Sequence, residues 1–304
     1  MVTPRRRRRG RSRTEETIAN LVFKTVAATS IVTLLLIFVF LFREGIGVFR
    51  QTGLIDFIVG PRWAPVSKTQ AFGALPLIVG SATVTFGAAL IAIPTGIGVA
   101  LYLAEAAPRT LREMAKAIIE LLAGIPSVVY GFVGLMVLAP MIKGALNLPS
   151  GLSAFTASIV LGVMALPTVV SISEDALSSV PDSYRQASLA LGASRWETAL
   201  HVVLPAAKSG LLAAAMLGIG RAIGETMAVL MVAGNATVIP GSPFDAVRTI
   251  TADIAAEMGE VVQGGLHYQA LFGLGVILFA ISFVINLVTD MLFRGAAVSS
   301  GKRS

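Results

Sequence analysis

Cysteine is absent from the 304 residues, and histidine occurs only as His201 and His267. The first absence excludes disulfide frameworks and thiolate metal sites. The second, with the two histidines far from metal-ligand spacing, leaves no metal or cofactor to expect. Charge is scarce too: 13% of residues are charged and 55% hydrophobic, whereas a soluble domain carries about 25% charged residues. With a mean hydropathy of +0.81, the chain reads as an all-α integral membrane protein. No G-x4-G-K-[ST] run is present, and the Gly301-Lys302 pair is followed by arginine. The chain is therefore not itself an ATPase of the P-loop kind. H-E-x-x-H, a G-x-S-x-G elbow and paired carboxylates within apolar stretches are also missing, which argues against a membrane enzyme.

Positive charge is the exception. The net charge of +7 comes largely from seven arginines in "RRRRRGRSR", residues 5–13. Residues 1–19 read as an Arg-rich cytoplasmic tail anchoring the first helix by the positive-inside rule. Binding to nucleic acid or to anionic lipid is the competing reading. The apolar run that follows is too long for a signal peptide and lacks its small-x-small cleavage site.

A membrane-crossing helix needs about 20 apolar residues. Six stretches qualify: 20–42, 74–103, 115–140, 154–174, 209–235 and 269–293. Pro126 and Pro167 predict kinks, whose freed carbonyls need partners in a bundle or a wet cavity. With the N-terminus inside, 17 of the 24 Lys and Arg fall on the cytoplasmic side against 6 outside, so both termini, including the 294–304 tail, are expected in the cytoplasm. Residues 43–73 then form an external loop, with Phe57 and Trp63 as interfacial anchors. Residues 236–268 form a second, in which "NATVIPGSPFDAVRTI" predicts a turn and a short amphipathic helix.

The remaining polar segment, 175–208, is the most informative. It reads "SVPDSYRQASLALGASRWETALHVVLPAAKSG" from Ser179 onward. Pro181 and Asp182 predict a helix start and Gly192 a break. Ser194 and Glu197 form a capping pair for a second helix that Pro205 ends. Gly192 is expected at positive φ, or in close contact with a partner.

This segment resembles the E-A-A-x3-G-x9-I-x-L-P loop of inner-membrane permeases in binding-protein-dependent ABC importers. Gln186, Ala187, Ser188, Gly192, Val202, Leu204 and Pro205 stand at the matching positions. Gln186, Ser188 and Val202 replace the family's Glu, Ala and Ile, so any salt bridge from the Glu position is lost. The resemblance implies a type I permease core over 74–293 and a coupling helix that docks on a cytoplasmic ATPase. By that resemblance Ala187, Ser188 and Gly192 lie at the contact.

"GRAIGETMAV" (220–229), "LLAGIPSVVYGF" (121–132) and "FGALPLIVGS" (72–81) further resemble phosphate-specific importer permeases of the PstC type. That resemblance implies a heterodimer with a second permease, two copies of an ATP-binding subunit and an external phosphate-binding protein in a bacterial plasma membrane. The rivals are a permease for sulfate or molybdate, a passive channel or a membrane enzyme. A passive channel has no need of an ATPase-docking loop.

On a continuous fifth helix, Gly210, Ala214, Gly218, Arg221, Glu225, Ala228 and Asn235 share one small, polar face. Thr226 is adjacent. Arg221 and Glu225 at i, i+4 admit two readings. One is a mutually neutralising pair that only locks packing; the other is an anion pathway, since a guanidinium grips phosphate oxygens with two donors. Thr83, Thr85, Ser127 and Tyr130 are weaker pathway candidates, because hydroxyls in membrane helices often serve local carbonyls.

Overall fold

The computed structural model describes residues 12–301, so the arginine run lies mostly outside the described residues. In chain order the elements are α1 (Ser12–Thr52), α2 (Leu54–Val59), a two-stranded hairpin of β1 (Trp63–Ala64) and β2 (Ala71–Phe72), α3 (Leu75–Glu105), α4 (Arg109–Ala123) and α5 (Ser127–Val133). A π-helical turn, Gly134–Leu138, joins α5 to α6 (Ala139–Leu146). Next come α7 (Ala154–Ser178), α8 (Asp182–Ala190), α9 (Arg195–Thr198), a second π turn at Ala199–Val203, and α10 (Leu204–Ala206). The chain ends with α11 (Lys208–Ile223), α12 (Met227–Val232), α13 (Ile250–Glu257) and α14 (Leu266–Gly301).

Among the described residues, five helices are long and apolar enough to cross a membrane. A sixth span is reached if the pair Arg195–Ala206 and Lys208–Ile223, bent by 71°, counts as one. The centre of the bundle is α3 against α7. Small residues face each other there: Ala88 and Ala92 on α3, Ala157, Ala165 and Val169 on α7, all nearly fully buried. A side chain added at Gly162 would meet Ile91 at 3.0 Å. This is how helices associate without a hydrophobic drive between them, by close backbone approach and dispersion. Ser153 caps α7 by accepting from the Thr156 N–H at 3.2 Å.

Four expectations from the sequence are corrected. The first helix does not end near residue 42: α1 continues to Thr52, since "REGIGVFRQT" contains no proline and Val48 and Phe49 pack into the core beside α14. Phe57 and Trp63 are not interfacial anchors. They are 0% and 3% exposed, stacked edge-to-face with centroids 6.3 Å apart, in a core shared with Leu77, Ile250 and Leu274. The third span is not 115–140. The stretch divides at Gly124–Pro126 into amphipathic α4, which buries none of its residues, and a span from Ser127 to Leu146. Pro126 cannot donate to the preceding turn, so it starts α5 rather than kinking a longer helix. The fifth span is likewise two helices, broken at Gly224–Thr226. The turn and short helix expected after Asn235 are present, as α13.

Candidate functional site

The break between α11 and α12 changes the meaning of the Arg221–Glu225 spacing. Glycines at 220 and 224 weaken the helix there, and Glu225 leaves the helical path. Its Oε1 accepts from the Ala228 N–H at 3.1 Å, and its own carbonyl accepts from Thr251 Oγ1 at 2.7 Å. Arg221 instead donates through Nη1 to Thr168 Oγ1 on α7 at 3.1 Å. The pair is not an i, i+4 ion pair, and among the described residues Arg221 has no carboxylate partner. The small face predicted for this span holds only through α11. Ala214 is fully buried, and Gly218 sits where an added side chain would strike Val169 at 2.6 Å. Beyond the break, Asn235 belongs to a different feature. It takes a left-handed conformation at φ 55 and caps the end of α12 by donating from Nδ2 to the Leu230 carbonyl at 2.7 Å. Thr226 faces back to the Gly224 carbonyl at 3.4 Å. Thr83 and Tyr130 serve the Val79 and Leu122 carbonyls.

At one end of the bundle, α8, α9 and the turn between them form the expected knob. Gly192 has φ 88, as its sequence position requires. The capping box is complete: Ser194 Oγ accepts from the Glu197 N–H, and Glu197 accepts from the Ser194 N–H at 2.7 Å. Those bonds hold the Glu197 carboxyl below its usual range. Gln186, Ala187 and Pro205 are exposed, Leu204 packs into the local core, and Ser188 meets Thr198 hydroxyl to hydroxyl at 2.9 Å. The sequence reading missed the apolar surface beside them. Tyr184, Leu191 and Trp196 are 53%, 90% and 56% exposed on the knob. It also missed Arg185, whose partner Glu105 lies 80 positions away, and Glu174, nearly fully buried and ion-paired to Arg112 and to Lys116. Separations of this size leave no local sequence signal.

The opposite end carries a polar network that sequence spacing also hid. Arg248 Nη1 reaches Asp253 Oδ1 at 2.9 Å and Glu257 Oε1 at 2.8 Å, and its Nε donates to the Asn235 carbonyl at 3.0 Å. Glu257 Oε2 also meets His267 Nε2 at 2.8 Å and accepts from Trp63 Nε1 at 3.4 Å. His267, read as isolated from sequence, is thus tied in by the fold. One arginine facing two carboxylates leaves Asp253 poorly compensated. Burial first, then the Glu257 charge, push its carboxyl up from 3.8 to about 7 against the pull of Arg248. Among the described residues its Oδ2 has no hydrogen-bond partner. The folded protein therefore binds a proton that the unfolded chain has released. That stabilisation is full below about pH 4 and is lost as pH rises through about 7. Thermal unfolding of the detergent-solubilised protein should show a Tm that falls between about pH 4 and 7, with a flatter profile in Asp253→Asn. An unchanged slope in that variant would assign the proton to another group.

Residues 92–297 match the model of the family described as binding-protein-dependent transport system inner membrane component. The chain is 41% identical over 280 residues to a probable ABC transporter permease of Bacillus subtilis, YqgH, covering 91% of each. It is 40% identical over 259 residues to the phosphate transport system permease PstC of Mesorhizobium japonicum, covering 79% of this chain and 78% of that one. The corresponding PstC 2 protein of Mycobacterium tuberculosis is 34% identical over 308 residues, with 93% of each covered. Among solved structures, a bacterial alginate ABC transporter superposes with a TM-score of 0.60 at 16% identity, over 94% of this chain and 98% of that one. The methionine transporter MetNI in an inward-facing form gives 0.57 at 20% identity, over 71% and 92%. At those identities the likeness is one of fold, the type I permease fold. With the family model spanning well over half of its length and curated permeases matching at these identities, the chain belongs to the binding-protein-dependent transport system inner membrane components, the permeases of ABC importers.

Proposed function

We propose that this chain is the membrane-spanning subunit of an ATP-driven importer of inorganic phosphate, which an external binding protein delivers. Arg221 carries the reading. It is a half-buried guanidinium in the bundle, held by one hydroxyl and unpaired with any carboxylate among the described residues. Such a group is costly to keep in a membrane without an anionic partner, and a passing oxyanion supplies one. Glu225 and Thr226 follow it in the chain at the break between α11 and α12. The names of relatives such as the PstC proteins of Mesorhizobium japonicum and Mycobacterium tuberculosis support phosphate over sulfate or molybdate.

In this reading the α8 knob faces the cytoplasm, where Gln186, Ala187, Ser188 and Gly192 contact an ATP-binding subunit and Leu204 and Pro205 end the supporting helix. The complex holds a homologous second permease, forming a heterodimer, and two ATP-binding copies. Both termini are cytoplasmic in a bacterial plasma membrane, and the Asp253 network lies at the outer end. Two measurements test this. Proteoliposomes containing the whole complex should take up labelled phosphate in competition with unlabelled phosphate but not with sulfate or molybdate. A reporter after Ser304 should behave as cytoplasmic and one near Gly241 as external; an external C-terminus would put the knob on the wrong side for an ATPase.

A further inference from the structure

Arg185 stands one residue before Gln186, yet it is turned away from the exposed face of α8 and is only 19% exposed. Its guanidinium grips Glu105, the last residue of α3, through Nη2 at 2.7 Å and Nε at 3.1 Å. Nη2 also donates to the Leu177 carbonyl in the last turn of α7 at 3.0 Å, and Nη1 to the Val180 carbonyl at 2.6 Å. One side chain thus joins α8 to the ends of the two helices that form the centre of the bundle. Little else does. No residue of α8 is buried, so apolar packing does not hold it. The Ser188–Thr198 contact stays within the knob. Arg185 also sits close to the pathway in mechanical terms, because α7 carries Thr168, nine residues before Leu177, and Thr168 holds Arg221. At 1.5 Å per residue that is roughly 13 Å along one helix.

We propose that Arg185 is the positioning residue that transmits movement of α8 to α3 and α7, so that ATP-driven displacement of the knob reaches Arg221. The inference rests on α8 being the ATPase-docking helix. A planar fork holding a carboxylate and two carbonyls at once resists both rotation and translation of α8, whereas a lysine ammonium has no fork with which to hold all three in fixed geometry.

The experiment uses the complete complex, with ATP-binding subunits and binding protein, in proteoliposomes. For Arg185→Lys we expect the ATP-binding subunits to remain bound and ATP hydrolysis to continue, with phosphate imported per ATP reduced roughly tenfold or more. Glu105→Gln, which leaves Arg185 on its carbonyls, should give a smaller loss of the same ratio and serves as the reading if Arg185→Lys fails to assemble. A protein that is merely destabilised would lose uptake and hydrolysis together. An unchanged ratio in an assembled variant overturns the proposal. Leu191→Asp separates this from the docking reading: it should strip the ATP-binding subunit. If that variant keeps the subunit and full uptake, α8 is not the docking helix and the proposal falls with it.

Discussion

Arg221→Lys is expected to assemble normally and to import phosphate roughly ten- to a hundredfold more slowly, the range that follows from losing a charge-assisted hydrogen bond of about 1.5–3 kcal/mol. Lysine keeps the positive charge and can still reach the Thr168 hydroxyl, so the bundle loses little. What it loses is the planar pair of donors that fits two oxygens of one phosphate. The absence of an Arg221–Glu225 ion pair sharpens this expectation. If the two side chains neutralised each other, substituting both would repair the damage done by substituting one. Because they contact different partners, combining Arg221→Gln with Glu225→Gln should not recover what Arg221→Gln alone loses. A glutamine at 225 retains an acceptor for the Ala228 N–H. Normal uptake by an assembled Arg221→Lys complex would show that the anion crosses elsewhere.

Gly192→Val should separate ATP hydrolysis from uptake while leaving the protein in the membrane. No atom lies within 4 Å of a side chain added at this exposed position, so valine meets no steric obstacle; its penalty is the backbone conformation at φ 88. A β-branched residue held there costs about 1–3 kcal/mol. The turn relieves that cost by changing shape, and α8 then meets its partner at a different angle. Asparagine, which tolerates positive φ better, should keep most of the coupling. Measuring uptake and hydrolysis on the same proteoliposomes decides the matter. Normal coupling in Gly192→Val would remove this turn from the docking surface.

Much of this architecture was written in local sequence. The apolar runs located the spans because a bilayer leaves the backbone no alternative to helix. Gly192, Ser194 and Glu197 announced the knob because turn and cap chemistry acts over three or four residues. Boundaries fared less well where local signals competed. Nothing in "REGIGVFRQT" marks a helix that continues ten residues past the expected end, since its continuation depends on α14 being alongside. Hydropathy joined α4 to the next span because it averages over the Gly124–Pro126 break.

The site divides along the same line. Sequence alone picked out Arg221 and Glu225, because charge inside an apolar run is conspicuous whatever the fold. It assumed an unbroken helix, on which the two could pair with each other; the packing of α13 against the break, through Thr251, and of α7 against α11, through Thr168, gave each a different partner. Arg185 with Glu105 and Arg248 with Asp253, Glu257 and His267 depend wholly on tertiary placement. Their chemistry resides in which charges the folded chain brings within 3 Å and shields from water. Residue type and spacing thus determined the membrane class, the knob and the unusual arginine. Only the three-dimensional packing decided which groups neutralise one another and which, like Arg221, have no carboxylate partner among the described residues.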